Sequence, residues 1–353
     1  MPTPRQRVVT ALRRQEPDAV PFDFHGFTPA VLETFRRHTG HEDPWAYFQV
    51  PMRHVRIGPS RQAADFTPYY EPLPAGTVFD EWGVARVPAD FYHLVGRRYP
   101  MRSITTVQQA AEYPYPDIDQ PYRYQDAAQQ VASFHAEGLA VRGEVDFAVF
   151  DTCWQLRGYQ EFMVDLKVNL PLAEALMDHV EPLLVAQAGL WAQTGVDILL
   201  VGEDVGMQDR MIMRPDDWRR WIKPRLGRII AAAKAARPDV IFAYHSDGYI
   251  LPIIPDLIEI GVDVLNPVQP ECMDPAEVKR QFGDRLAFWG TIGTQTTMPF
   301  GTPLDVREEV RLRIETVGQG GGLLIGPSHT LEPEVPWENI VAFVQAVREF
   351  GGY

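Results

Sequence analysis

The sequence predicts an α/β fold, a closed (β/α)8 TIM barrel forming one domain over residues 1–353 with an elaborated N-terminal region. Three observations carry this expectation. Short Val/Ile/Leu-rich runs recur and end in polar residues, helix-period segments separate them, and no GxGxxG or P-loop opens a helix. Alternating strand and helix signals imply a parallel sheet, whose strands are covered on both faces and so read as continuous apolar runs. Eight candidate runs favour closure over an open doubly wound sheet. The missing phosphate-binding motifs remove the main open-sheet alternative.

The runs are Val20–His25, Thr77–Trp82, Leu139–Phe147, Val196–Asp204, Val240–Asp247, Val262–Asn266, Leu286–Thr291 and Leu323–His329. Between them, Pro171–Thr194 reads as a helix. So does Arg214–Arg237, with Pro215 in its first turn and Asp216 and Asp217 at the end where the helix dipole favours acids. Leu251–Ile260, Asp274–Phe282, Pro303–Val317 (ended by Gly318) and Pro336–Phe350 complete the helices. Residues 48–135, rich in Pro and Tyr, read as long loops with a hairpin decorating the barrel mouth. A lid, a partner surface or a homodimer contact are the roles open to them.

A net charge of −14 and the lack of a basic block argue against a nucleic-acid partner. The longest apolar runs fall short of the roughly 20 residues that cross a membrane. Met1–Arg14 is basic and amphipathic without an apolar centre, unlike a secretory signal. Cys153 and Cys272 are too far apart in sequence for a CxxC site, and nothing near either would activate it. The expectation is a cytoplasmic enzyme acting on a small molecule.

In such barrels the reactive groups come from strand C-termini. Those ends carry His25, Asp80 with Glu81, Glu144 with Asp146, Glu203 with Asp204, His245 with Asp247, Asn266, Gln269, Thr291 and His329. The sharpest signal is His245-Ser-Asp247-Gly248. In an extended segment His245 and Asp247 point to one side, and an imidazole beside a carboxylate suits a divalent metal or proton transfer. The structural alternative is a His245–Asp247 hydrogen bond that only orients a loop. Adding Glu203 and His329 gives a candidate metal set of two nitrogen and two oxygen ligands. Of the Glu203–Asp204 pair, Glu203 is read as the member facing the barrel axis and Asp204 as the cap of the next turn. Glu144 is a candidate catalytic acid, with Arg142 offering an ion-pair explanation. His54 and the remaining histidines show no spacing that argues for them.

Several segments together resemble the uroporphyrinogen-decarboxylase superfamily. They are Thr3-Pro-Arg-Gln-Arg with Ala11-Leu12, Glu16–Pro21, Asp80-Glu-Trp-Gly83, Tyr244–Gly248, Asp256–Pro270, Phe288-Trp-Gly-Thr-Ile, Gly321–His329 and Pro336–Asn339. The superfamily includes the decarboxylase and methyltransferases that pass methyl groups through corrinoid proteins. The decarboxylase is expected to carry an Arg-rich segment after its first strand, whereas this chain has Phe22-Asp-Phe-His-Gly-Phe-Thr28. The zinc methyltransferases carry His-x-Cys and a later Cys; the corresponding residues here read His245-x-Asp247 and, approximately, His329. The resemblance therefore implies a Zn2+-dependent methyltransferase moving methyl from a small, methoxylated or methylated substrate (an O-demethylase) to cobalamin on a corrinoid partner. The alternative it implies is a metal-independent decarboxylase in which Asp80 and His329 orient and protonate a carbanion-like carbon.

Overall fold

The computed structural model describes residues 1–88, 96–145 and 147–353; Asp146, expected at a strand end, lies outside them. Among the described residues the strands are, in chain order, β1 (Met52–His54), β2 (Val78–Phe79), β3 (Ala85–Arg86), β4 (Arg97–Arg98), β5 (Ala140–Val145), β6 (Ile198–Gly202), β7 (Ile241–His245), β8 (Val264–Asn266), β9 (Ala287–Trp289) and β10 (Leu323–Leu324). Seven of them form one parallel sheet in the order β1-β5-β6-β7-β8-β9-β10. The segment 20–25 takes the eighth place of the (β/α)8 barrel. It is bridged to the chain beyond β10 by the parallel Phe22–Ile325 pair, and it faces β1 through the 3.2 Å contact of Asp23 with His54.

The second barrel strand is therefore Met52–His54 and not Thr77–Trp82. Within the latter, Val78–Phe79 joins the small antiparallel sheet β2-β3-β4, the hairpin expected at the mouth. A three-residue strand ending in Arg and His carries no apolar run, so its pairing with β5 is set by neighbours rather than by its own composition.

Period-two alternation sorts each strand into two cores. Met52, Ala140, Ile198, Leu200, Ile241, Ala243, Val264, Ala287, Trp289 and Leu324 fill the barrel interior, and Val8 and Leu12 pack in from below. These last two belong to the helix Pro4–Leu12, which starts on a Thr3/Gln6 capping box and closes the barrel's N-terminal end. Leu199, Val201, Phe242, Leu265 and Phe288 point the other way, into the layer beneath the outer helices. The helix Leu170–Gln193 lies against β5 so closely that a Cβ on Gly143 would stand 2.7 Å from Trp191. The expected helix Arg214–Arg237 is two, Pro215–Trp221 and Lys223–Ala236. Pro224 has no N–H for the ladder at the junction. Among the described residues no helix is long and apolar enough to cross a membrane.

Candidate metal centre at the barrel mouth

Where the apolar interior ends, the inward positions turn polar: Asp23 and His25, His54 on β1, Arg142 and Glu144 on β5, His245 on β7 and Asn266 on β8. On β6 the inward series Ile198, Leu200 continues to Gly202, which presents no side chain, and then to Asp204.

Asp204, His245 and Asp247 bring one ligand atom each to within 4.8 Å of one another. His245 Nε2 stands 3.8 Å from Asp204 Oδ1 and 3.9 Å from Asp247 Oδ1, and Asp247 Oδ2 is 3.6 Å from His329 Nε2. Asp247 Oδ1 is buried and has no hydrogen-bond partner. The amide of Asn266 donates from Nδ2 to the Trp289 carbonyl at 3.1 Å. Its Oδ1 must then accept, at 2.7 Å, from Nδ1 of His245. That leaves the lone pair on Nε2, the nitrogen aimed at the two carboxylates. Burial disfavours a charged His245, yet the carboxylates of Asp247 and Asp204 outweigh it and raise the imidazole above its ordinary range. The cluster attracts positive charge.

Backbone contacts between two loops hold this geometry. Asp247 N–H donates to Asp204 Oδ1 at 2.9 Å, Val205 N–H to Ser246 Oγ at 3.0 Å, and Tyr249 N–H to the Met207 carbonyl at 2.7 Å. Gly206 and Gly248 permit the approach: a Cβ on Gly206 would lie 2.3 Å from the Asp247 carbonyl, and Gly248 has φ +82° with its Cβ position 2.6 Å from the Met207 carbonyl. Behind them Asp151 takes the Asp204 N–H at 2.8 Å and Trp154 Nε1 at 2.6 Å.

Glu203 faces the other way, a correction to the expected ligand set. Strand alternation puts Asp204 on the axis and turns Glu203 under the helix Val149–Arg157, fully buried, where its Oε1 accepts the Phe150 N–H at 2.9 Å. Burial pushes its carboxyl up to about 8. Glu144 is ion-paired with Arg142 at 2.8 Å. Asp80 accepts the Trp82 and Val84 N–H groups at 3.0 and 2.9 Å and lines its own cavity of about 140 Å3 with Glu81, Trp82 and Phe147. His25, whose Nδ1 is buried without a partner, stacks on His245 at 5.0 Å and on His329 at 5.6 Å. Burial and the surrounding positive charges keep it well below the usual imidazole range, hence neutral. Two cavities flank the centre, one of about 400 Å3 beside Asp247 and His329 and one of about 250 Å3 beside His54, Arg142 and Glu144.

Sequence reasoning passed over His54, Asn266 as the residue that orients His245, and Arg142 as more than an ion-pair partner. For Asn266 a signal existed, since it ends the strand next to His245. For His54 there was none.

Residues 118–350 match the uroporphyrinogen decarboxylase (URO-D) family, and the chain belongs to it. It is 28% identical over 180 residues to the methylcobamide:CoM methyltransferase MtaA of Methanosarcina barkeri, covering 51% of this chain and 49% of that protein. Against the uroporphyrinogen decarboxylase of Chlorobaculum tepidum it is 24% identical over 187 residues, 52% of this chain and 49% of that one. The chain thus spans about half the length of these relatives. A solved methyltransferase from Methanosarcina mazei shares the fold over 99% of both chains, with a TM-score of 0.67 and 17% identity.

Proposed function

We propose that this chain is a metal-dependent methyltransferase that takes a methyl group from a small O-methylated compound and passes it to a corrinoid protein. The carrying observation is the cluster of Asp204, His245 and Asp247, with its orphaned Asp247 Oδ1 and an Nε2 lone pair aimed at two carboxylates. That donor set fits Zn2+, with His329 beside it. Asp204 takes the part expected of Glu203. Zinc held by Asp204, His245 and Asp247 would supply a Lewis acid for the leaving oxygen of the donor. A site of imidazole and carboxylate without thiolate is hard, which suits oxygen over sulfur as the polarised atom.

The chain's own residues account for the rest. Asn266 holds His245 in the tautomer with a bare Nε2, the kind of outer contact that fixes a ligand's orientation. Asp204 is fixed by the Asp247 amide. His329, on the wall of the larger cavity, is placed to give a proton to the departing oxygen. Neutral His25 stacks on both imidazoles. Cobalamin would arrive on its partner protein, over the strand C-termini. The likeness to MtaA, named as a methylcobamide:CoM methyltransferase, supports corrinoid-linked methyl transfer as the class of reaction, although that name makes the corrinoid the methyl source rather than the acceptor. A decarboxylase using Asp80 and His329 is the competing reading, and it is weakened by Asp80's engagement with two hairpin amides.

Elemental analysis of untagged protein prepared without chelator tests the proposal. About one zinc per chain, lost in His245→Ala, is the expected result. No metal in the wild type and no uptake of added zinc would overturn it and move the decarboxylase to first place.

A further inference from the structure

The second cavity is built around a buried cation. Arg142 is 4% exposed, and its Nε and Nη1 have no hydrogen-bond partner. Its contacts to His54 Nδ1, at 3.1 Å, and to Glu144 Oε2, at 2.8 Å, both fall on the remaining nitrogen, Nη2. His54 is held in turn by Asp23 at 3.2 Å, and the guanidinium lies 5.2 Å from the centre of the Trp289 ring. Glu144 already balances its charge, but two buried nitrogens without a hydrogen-bond acceptor are costly unless a further acceptor, such as a ligand carboxylate, completes them.

The surroundings agree. Arg56, Arg123 and Arg142 line this cavity with Glu81 and Glu144. Arg123 is already paired with Glu81 at 2.7 Å and Asp117 at 3.2 Å, which leaves Arg142, among the described residues, as the cation with unsatisfied nitrogens there. Trp82, Phe147 and Trp191 supply flat apolar walls. Its volume of about 250 Å3 lies below the about 300–1,000 Å3 of pockets for drug-sized ligands. Arg142 pairs with Ile198 and Glu144 with Leu200 on β6, and the next inward position, Gly202, pairs with His245 and presents no side chain at that level.

From this we infer that Arg142 binds the carboxylate of the substrate, which is a small ring-bearing carboxylic acid with its methylated oxygen turned toward Asp204, His245 and Asp247. The anion site stands on Arg142 and its cavity; the role of the bound acid as methyl donor rests on the methyltransferase reading.

Benzoate and benzamide share a shape and differ in charge, so titrating each into the zinc-loaded chain by calorimetry isolates the anion site. The wild type is expected to bind benzoate at least about tenfold more tightly than benzamide. Arg142→Met should abolish that preference at unchanged zinc content. Arg142→Lys keeps the charge, guards against misfolding, and should lose the preference several-fold because an ammonium is a point charge. Equal binding of the two probes by the wild type would overturn the inference, as would an unaltered preference in either variant. Benzoate preference without zinc would sustain the anion site while removing the methyltransferase reading; zinc without the preference would do the reverse.

Discussion

Asn266 shows how much one amide decides. It touches no proposed ligand atom, yet its hydrogen bond selects which nitrogen of His245 faces the carboxylates. Asn266→Ala is expected to weaken zinc binding by about 10–100-fold while leaving the melting temperature nearly unchanged, measured by competition with a chromogenic chelator. Glu203 should behave in the opposite way. Its buried carboxyl, pushed up to about 8, is protonated at neutral pH. Glu203→Gln should therefore keep both fold and zinc, a result that ligation by Glu203 would not allow. The sign of its pH effect follows from proton uptake. The folded state binds this proton more tightly than the unfolded chain, so stability is full below the ordinary carboxylate range and falls as pH rises through about 8. Melting curves of chelator-treated protein should show that decline in the wild type and less of it in Glu203→Gln. The sequence displayed both acids side by side but not which one faces inward. Ile198–Val201 is apolar at every position, because a barrel strand is covered on both faces, so no alternation marks the axis.

At the scale of elements, the site depends on two loops touching where side chains would collide. Gly248 has φ +82°, and its Cβ position falls 2.6 Å from the Met207 carbonyl. Alanine there costs about 1–2 kcal/mol in backbone conformation before any clash. Gly248→Ala should separate Asp204 from Asp247 and abolish stoichiometric zinc, with a melting temperature lowered by only a few degrees. A variant that holds zinc normally would show that the loop contact does not set the site. His245 and Asp247 sharing a side was readable from strand periodicity. The helices Leu170–Gln193 and Trp337–Phe350 were readable within a residue or two of their ends, because amphipathic length and caps are local signals. β1 was not readable. Its three residues Met52–His54 become a strand by pairing with β5, a contact some 88 positions away in sequence.

For the whole molecule, chemistry and stability occupy opposite ends of the barrel. At the N-terminal end Asp197, 4% exposed, gathers Arg5 Nη2 at 2.8 Å, His135 Nε2 at 2.9 Å and the Val141 N–H at 3.0 Å. Asp197→Ala should cost about 2–3 kcal/mol. That is less than for a fully buried pair, because the Arg5 side chain is 35% exposed and solvent screens part of the attraction. Zinc content and benzoate affinity of the folded fraction should stay at wild-type values. A loss of zinc in this variant would mean that the two ends are coupled.

The sequence by itself determined the barrel, most of its strands and the residue types crowding its mouth. Those depend on local hydrophobic runs, on helix caps and on polar residues placed where apolar runs stop. Only the tertiary structure decided which carboxylate joins His245, that segment 52–54 supplies the second strand, and that Arg142 keeps two nitrogens unpaired beside a cavity. Each of these is set by register between strands distant in sequence. A shift of one residue in that register would turn every inward side chain outward while leaving the composition of each segment unchanged.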